Sequence, residues 1–415
     1  MAESAARKEA MQAALLDFSL EEPLLMVCAC DRWERVLALD LQEAWSSTGA
    51  SVVEIAPALF RIRGAELPAL PSRASTPREG SKDPRLPEGT FDRHCVWHAA
   101  GIRRCLQLLT LPSSPSELVE AVSKAKLNFE DGWMLEHEGP YPVRYESLAP
   151  YTQSSSFLAA GLGRVISGPI VESSQSTRLV SVEMINSQGQ HVLAQDLLRR
   201  DCFDPTAFGS IWRSRPYPDY SAALEPLAAL ALLGLGLRVH HRITGREPKV
   251  FLDATCGTGT VAAAAKYCIK EWRIFAGDVN PTMSKRSLAN LVAAFPGQAY
   301  ELGEETKTPG IGVRQWDATK PWPIPCGVQE GLLVCSNLPW GKSLDTQVEA
   351  ANQVAKCLAE SLPSATLCLI APEELGRNSS DWLRILHSAP VGKKAVLIVG
   401  HGIAREKHEK SKREG

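Results

Sequence analysis

The chain has 415 residues, of which 44% are hydrophobic and 22% are charged, and its formal net charge is −2. This length predicts two or three domains, and the composition is that of an ordinary globular protein. The near-neutral charge excludes a polycationic chain, so any contact with a polyanion must come from local patches. The 11 cysteines form no CxxC pair and no Cys/His cluster at zinc-ligand spacing. The sequence therefore predicts reduced thiols and no metal site.

The chain start and one apolar run bear on location. Met1-Ala2-Glu3-Ser4 carries an early acidic residue, and no apolar leader segment follows it. We therefore expect a cytoplasmic protein, with the nucleus as the alternative. The run 227–237 is uninterrupted and apolar, but it is shorter than the roughly 20 residues of a membrane span. It predicts a buried helix.

Residues 1–205 predict a mixed region of strands and helices. Its first part reads as a strand over 24–30, a helix over 33–45 and two strands over 52–55 and 59–62. Residues 64–94 are rich in proline and charge without periodicity, which favours a flexible insertion acting as a solvated spacer. Buried and amphipathic helices are predicted over 102–109 and 115–126, followed by paired strands over 180–186 and 191–194.

From residue 206 the pattern changes to strands that alternate with helices. Strands are predicted over 250–253, 273–278, 312–317, 331–335, 365–370 and 395–400, with helices over 261–267, 283–295 and 346–361 between them. Such alternation predicts a doubly wound, mostly parallel sheet over 206–402. Residues 403–415 predict a charged, frayed tail.

A glycine loop follows the first of these strands. Residues 253–260 read Asp-Ala-Thr-Cys-Gly-Thr-Gly-Thr, and the two glycines allow a sharp turn and the close approach of a ligand. Ala262 occupies the third-glycine position, which the dinucleotide fingerprint tolerates. The loop alone leaves open a dinucleotide, another adenosine cofactor or a helix-entry turn without a ligand.

Two carboxylates end the next strands. Asp278 follows Asp253 by 25 residues in the sequence. An acidic residue at about this sequence separation can accept hydrogen bonds from the ribose hydroxyls of an adenosine cofactor. Asp317 follows the third strand, where it can meet an adenine amino group. Either residue can instead be a solvated turn carboxylate.

The fourth strand is followed by Ser336-Asn337-Leu338-Pro339-Trp340-Gly341-Lys342. An Asn-x-Pro-aromatic turn offers hydrogen-bond acceptors and a stacking face to a flat, amine-bearing group such as the amino edge of a nucleobase. Because ligands of open α/β sheets bind at this rim, the position favours a binding role. An ordinary turn is the alternative, since Asn, Pro and Gly are common turn formers.

The order of these four motifs resembles the class I S-adenosylmethionine-dependent methyltransferases that act on exocyclic or amide nitrogens. The strings DATCGTGT, GDVNP, QWDATKP and SNLPWGK are similar to those of the THUMP-domain RNA guanine-N2 methyltransferases. Leu338 fits that family's fourth motif, whereas Trp340 is a rarer aromatic there. The likeness covers about residues 205–400. It is fainter upstream, at Cys30 to Glu34 and at Leu162 to Val165.

The resemblance implies a Rossmann-like class I methyltransferase domain with a seven-stranded sheet, preceded by an α+β THUMP-like RNA-binding region. It implies S-adenosyl-L-methionine as cofactor, and Asn337, Leu338, Pro339 and Trp340 as the catalytic turn. The implied cofactor contacts are Asp253, Cys256, Gly257, Thr258, Gly259, Thr260, Asp278, Val279, Asp317, Ala318 and Asn337.

Partners follow from the same likeness. It implies RNA, with tRNA as the first expectation, and a small zinc-binding activator subunit, as in eukaryotic members of the family, but no membrane. Candidate phosphate contacts near the domain junction and the fourth motif are Arg199, Arg200, Arg213, Arg215 and Lys342. For the basic stretch from Arg238 to Lys249 we favour a solvated surface over an RNA groove.

Two other functions stay open at this point. An Asn-x-Pro-aromatic turn also serves methylation of adenine N6 or of a protein glutamine amide. A catalytically silent RNA-binding protein is the alternative from another class, although the intact glycine loop and Asp278 argue against it.

Overall fold

A computed structural model of the chain describes residues 24–27, 33–46, 48–56, 59–64, 99, 102–110, 113–130, 133–141, 160–170, 177–184, 191–197, 205–218, 223–269, 271–301, 310–322, 331–339, 344–378, 381–391 and 394–403. Of the predicted insertion 64–94, only Gly64 is among these residues, and of the tail 403–415 only Ile403. The chain divides into two compact units, the first comprising residues 1–34, 45–76 and 101–202, and the second residues 35–44, 77–100 and 203–415.

The first unit contains a seven-stranded sheet. Its strands are β1 (Leu24–Val27), β2 (Ser51–Ala56), β3 (Leu59–Arg63), β4 (Ile102–Leu108), β5 (Trp133–Tyr141), β6 (Thr177–Met184) and β7 (His191–Asp196). They lie in the order β2-β3-β1-β4-β7-β6-β5. The β5–β6 pair is parallel, and the other neighbours are antiparallel. The predicted strands over 52–55, 59–62 and 191–194 are confirmed. The strand predicted over 180–186 is confirmed as far as Met184, and residues 185 and 186 lie outside the described residues.

Two helices follow their sequence signals closely. Helix α1 (Glu34–Ser46) matches the prediction, and its residues 35–44 group with the second unit. Helix α2 (Pro115–Ala125) begins with a reciprocal capping box, in which the Ser114 hydroxyl and the Glu117 carboxylate each accept from the other's backbone N–H. Leu118 and Val122 of α2 pack with Trp133, and these three side chains belong to the hydrophobic core of the first unit.

One prediction in this unit is wrong. Residues 102–109 were predicted as a helix, whereas β4 is a strand that pairs with β1 on one side and β7 on the other. Cys105, Leu106 and Leu108 are all buried, so this central strand is apolar on both faces. A short apolar run without alternation does not distinguish a fully buried strand from a buried helix.

The second unit is built on an eight-stranded sheet. Its strands are β8 (Val250–Asp253), β9 (Arg273–Asp278), β10 (Ala299–Glu301), β11 (Gly310–Gln315), β12 (Leu332–Asn337), β13 (Thr366–Pro372), β14 (Leu383–Val391) and β15 (Ala395–Gly402). They lie in the order β10-β11-β9-β8-β12-β13-β15-β14. The first six strands in this order, from β10 at the edge to β13, are each parallel to their neighbours. Strand β15 runs antiparallel to both β13 and β14.

This architecture confirms the Rossmann-like, doubly wound and mostly parallel sheet expected from the sequence. The sheet has one strand more than the predicted seven, because the three-residue β10 extends its edge beside β11. Strand β14 was also missed, since it is an edge strand with Pro390 and little burial of its central residues.

Helices cover both faces of the sheet. They are α3 (Pro205–Arg213), α4 (Pro226–Thr244), α5 (Thr260–Cys268), α6 (Pro281–Ala294), α7 (Leu344–Ser361) and α8 (Glu373–Asn378). Leu252 and Val334 pack with Val354 of α7. On the opposite face, Cys335 lies so close to Gly236 of α4 that an added Cβ would be 3.1 Å from its sulfur.

The predicted buried helix over 227–237 is the apolar centre of α4. It begins with Pro226 in its first turn and ends at Gly245, whose φ of 66° suits glycine. In the part of the chain that the structure describes, no helix has the length and apolar character to cross a membrane.

Candidate active site

Four predicted functional segments meet at one rim of the second unit. Strands β9, β8 and β12 are adjacent and parallel, and β11 flanks β9. The chain therefore delivers Asp253, Asp278 and Asn337 to neighbouring strand ends, with Asp317 two residues beyond β11. The order of strands reverses between β8 and β12, and such a switch point opens a crevice in which ligands bind.

The glycine loop is shaped by two left-handed residues. Gly257 has a φ of 51° and Gly259 a φ of 91°, conformations that glycine adopts without steric cost. The Cys256 N–H donates to the Gly277 carbonyl at 2.8 Å, and the Gly259 N–H donates to the Cys256 carbonyl at 2.7 Å. No atom lies within 4 Å of a Cβ added to Gly257, whereas one added to Gly259 would be 2.6 Å from the Ser287 hydroxyl. The loop is thus open at Gly257 and closely backed at Gly259.

Asp278 braces this loop from the end of β9. Its carboxylate accepts from the Gly257 N–H and from the Asn280 N–H, each at 2.9 Å. Burial raises the pKa of Asp278, while these two hydrogen bonds oppose the rise. Val279, the next residue, is 64% exposed. An apolar side chain held open beside a carboxylate suits a ligand with a flat apolar face and hydroxyl groups.

Asp253 is the most deeply buried carboxyl group of the site. It is 1% exposed, and its Oδ1 accepts from the Ser336 hydroxyl at 2.9 Å. Burial raises the pKa of Asp253 to about 7, and the nearby negative charge of Asp278 contributes to the rise. Asp253 therefore changes charge near neutral pH.

Asp317 has the opposite character. Its Oδ1 accepts from the Thr319 hydroxyl at 2.7 Å and from the Thr319 N–H at 3.1 Å. These hydrogen bonds, together with the charge of Lys320, lower the pKa of Asp317. Asp317 is consequently a stable anion at neutral pH, and the adjacent Ala318 is 6% exposed.

The acceptor turn starts where β12 ends. The Asn337 carbonyl accepts from the Thr255 hydroxyl at 3.0 Å, and the Leu338 N–H donates to the Ile370 carbonyl at 2.8 Å. Leu338 is 1% exposed, so its side chain anchors the turn in the core. Pro339 is half-buried, and Trp340 lies outside the described residues.

These segments line one cavity of about 430 Å³, a size in the range of small-molecule sites. Almost all of the predicted cofactor and catalytic residues contribute to its wall: Asp253, Cys256, Gly257, Thr258, Thr260, Asp278, Val279, Asp317, Ala318, Asn337, Leu338 and Pro339. Gly259 is absent from the wall and supports the loop from behind. The cavity therefore places the glycine loop, both rim carboxylates and the Asn-Leu-Pro turn around one volume.

Sequence reasoning missed several wall residues. Leu224, Met283, Trp316 and Val354 add apolar surface to the cavity. Trp316 lies between the end of β11 and Asp317, so its position next to a predicted site residue could have been anticipated. The other three carry no local signal, because packing of separate helices and loops brings them to the rim.

Asn290 on α6 was also missed. It is fully buried and accepts from the Tyr217 N–H at 2.9 Å, while its amide donates to the Tyr217 and Thr258 carbonyls at 3.1 Å. It therefore joins the segment that enters the second unit to the glycine loop. At that same junction, the Trp212 indole donates to the Thr260 hydroxyl at 3.1 Å.

The predicted phosphate contacts differ in their surroundings. Arg213 is exposed at the end of α3. Arg215 is 8% exposed, donates to the Trp212 carbonyl at 2.6 Å and lies over the Trp212 ring at 5.0 Å. Arg215 is thus packed against Trp212, and its contact with a phosphate stays a prediction. Arg199, Arg200 and Lys342 lie outside the described residues.

No protein-family model matches the chain, and no curated protein matches its sequence significantly. Solved structures do resemble it. TrmN from Thermus thermophilus aligns over 92% of this chain and 100% of its own, with 15% identity and a TM-score of 0.49. A predicted N6-adenine-specific DNA methylase from Listeria monocytogenes aligns over 91% and 96%, with 12% identity and a TM-score of 0.45. SMU.472, a suggested methyltransferase complexed with SAH, aligns over 92% and 99%, with 12% identity and a TM-score of 0.46.

At these identities the likeness concerns architecture alone. Many folds host unrelated activities, so a likeness in architecture does not define a reaction. The chemistry has to come from the cavity and the groups that face it.

Proposed function

We propose that this chain is an S-adenosylmethionine-dependent RNA methyltransferase that forms N2-methylguanosine, with tRNA as its substrate. The observation that carries the proposal is the shared cavity. It brings the Asn337-Leu338-Pro339 turn together with a glycine loop and the carboxylates of Asp278 and Asp317. One volume thus offers both a cofactor cradle and acceptors for an amine.

The residues fit the cofactor. The open side of Gly257 leaves room for a ligand against the backbone, and Asp278 at the end of β9 is placed for ribose hydroxyls. Val279 supplies an apolar surface, and Asp317 can accept from an adenine amino group. When bound, S-adenosylmethionine supplies an electrophilic methyl group on a sulfonium sulfur.

The acceptor turn acts on the substrate amine. The exocyclic nitrogen of guanine is a weak nucleophile, because its lone pair is delocalised into the ring. The Asn337 side-chain oxygen and the Leu338 or Pro339 carbonyl accept from this amine, which directs the lone pair and stabilises the positive charge that develops on nitrogen. Trp340 stacks on the base, a contact worth roughly 1–3 kcal/mol. Positioning supplies most of the remaining rate, with effective molarities on the order of 10⁵–10⁸ M.

The proposed contacts with RNA are made to its charged phosphates and to its bases. Arg213, exposed near the junction, is the described candidate for a phosphate contact, and Arg199, Arg200 and Lys342 remain candidates from the sequence. The first unit serves as the THUMP-like RNA-docking region. A base inside an RNA helix has to be extruded before it reaches the cavity. A small zinc-binding activator subunit completes the proposed assembly.

The test is a methyl-transfer assay on purified protein with labelled S-adenosylmethionine and unmodified tRNA, run with and without a candidate activator subunit. Asn337→Ala should lower the rate on the order of 10²–10³-fold, as loss of one preorganised polar group does elsewhere. Gln353→Ala is the matched control, because Gln353 is an exposed amide on α7 outside the cavity.

Nucleoside analysis of the labelled product then decides the acceptor. N2-methylguanosine supports the proposal, whereas N6-methyladenosine or label in a protein glutamine would replace it. Equal rates for Asn337→Ala and the wild type would remove the role assigned to the turn.

A further inference from the structure

The backbone pairing of β8 and β12 stops before the site. The two strands are in register through Val250, Phe251 and Leu252, and the last pair joins Leu252 to Val334. On its other side, β12 continues to pair with β13 as far as Asn337 and Ile370. The last residues of β12 are therefore held by a ladder on one side only, and the strands part where the cavity begins.

Side chains replace the ladder in this gap. The Ala254 N–H donates to the Ser336 hydroxyl at 2.7 Å, and that hydroxyl donates to Asp253 Oδ1 at 2.9 Å. The Thr255 hydroxyl donates to the Asn337 carbonyl at 3.0 Å. We call these three hydrogen bonds among Asp253, Ala254, Thr255, Ser336 and Asn337 the β8–β12 link.

We propose that Thr255 and Ser336 are positioning residues that set the distance and angle between the glycine loop and the acceptor turn. The glycine loop begins at the last residue of β8, and the acceptor turn at the last residue of β12, so the β8–β12 link is a direct hydrogen-bonded connection between them. This inference rests on the proposed function in one respect, namely that Asn337 faces the methyl acceptor.

Each hydroxyl has a distinct task in the link. Ser336 is fully buried and acts as acceptor and donor at once, so it ties the strand ends together within the core. Thr255 is half-buried and lines the cavity. By donating to the main-chain carbonyl of Asn337, its hydroxyl holds the backbone of the acceptor turn in place.

Thr255 offers a clean test because two substitutions separate its hydroxyl from its shape. Thr255→Val keeps the branched shape and removes the donor, whereas Thr255→Ser keeps the donor. A displacement of about 1 Å at a reacting centre can lower a rate on the order of 10²-fold. Thr255→Val should therefore lower kcat about 100-fold while the Kd for S-adenosylmethionine, measured by calorimetry, changes less than threefold. Thr255→Ser should retain kcat within about threefold.

A second measurement does not depend on activity. Hydrogen exchange of the peptide that covers residues 332–339 should be faster in Thr255→Val than in the wild type and unchanged in Thr255→Ser. An inactive wild type would overturn the proposed function, and the exchange comparison would still test the β8–β12 link. Ser336→Ala provides a further variant and should accelerate exchange in the same peptide.

Three results would overturn the inference. The first is Thr255→Val with wild-type kcat, and the second is unchanged exchange over 332–339. The third is a loss of cofactor affinity in Thr255→Val that accounts for the whole loss of rate, since Thr255 would then be a cofactor contact and not a positioning residue.

Discussion

Replacement of Asp253 by Asn should flatten the dependence of this protein's stability on pH. Burial raises the pKa of Asp253 to about 7 in the folded chain, against 3.8 as its ordinary value. Between these two values the folded state holds a proton that the unfolded state has released. The stabilising contribution is therefore full below pH 3.8, declines as the pH rises and is lost above about pH 7.

The magnitude follows from the difference in pKa. One pKa unit corresponds to about 1.4 kcal/mol. Lowering the pH from 8 to 5 should therefore raise the unfolding free energy of the wild type by about 3 kcal/mol through the protonation of Asp253 alone. The Asn side chain does not titrate, so Asp253→Asn should lack this increment. Ser336 can still donate to the Asn oxygen, which preserves one contact of the site.

Urea unfolding at pH 5, 6, 7 and 8, followed by tryptophan fluorescence, measures this increment as a difference between the two proteins. Asp317→Asn is the matched control, because hydrogen bonds from Thr319 lower the pKa of Asp317 and its titration lies below this pH window. The unfolding free energy of Asp317→Asn should change with pH in parallel with that of the wild type. Parallel curves for Asp253→Asn and the wild type would refute the reasoning, since they would mean that Asp253 is ionised throughout.

Two further substitutions probe features outside the acceptor turn. Gly259→Ala should lower the unfolding free energy by roughly 1–3 kcal/mol, because φ is 91° and the new Cβ meets the Ser287 hydroxyl at 2.6 Å. Gly257→Ala, which meets no atom within 4 Å, should lose only the backbone part of about 1 kcal/mol, and equal losses in urea unfolding would contradict this account. Asp40→Ala should lower the thermal unfolding midpoint and reduce the unfolding free energy by about 3–5 kcal/mol, because it removes the carboxylate that pairs with the buried charge of Arg238. The double variant Asp40→Leu with Arg238→Met should recover most of that loss, and no recovery would show that the pair is not the cause.

The candidate site was largely predictable because its signals are local. The glycine loop, Asp278, Asp317 and Asn337 each lie at the end of a strand that the apolar pattern marks, or within two residues of it. In a parallel sheet, the carboxyl ends of neighbouring strands share one rim, so a sequence order of motifs becomes a spatial cluster. Twelve of the predicted residues accordingly line the cavity.

The roles of several polar residues were not predictable in this way. Arg215 and Arg238 look like surface charges in the sequence, yet Arg215 is buried against Trp212 and Arg238 pairs with Asp40 in the core. The basic stretch that begins at Arg238 was expected to be solvated, and only part of it is. Asp40 is remote from Arg238 in sequence, and no local pattern announces such a partner.

The sequence by itself determined the alternation of strands and helices from residue 206 onward and the identity of the residues at the strand ends. These features depend on hydrophobic periodicity and on glycine, which act within a few residues. Only the tertiary structure decided that β4 is a strand, that residues 35–44 group with the second unit, and that Ser336 and Thr255 bridge β8 and β12. Each of these depends on contacts between distant segments, whose partners exist only once the sheet has formed.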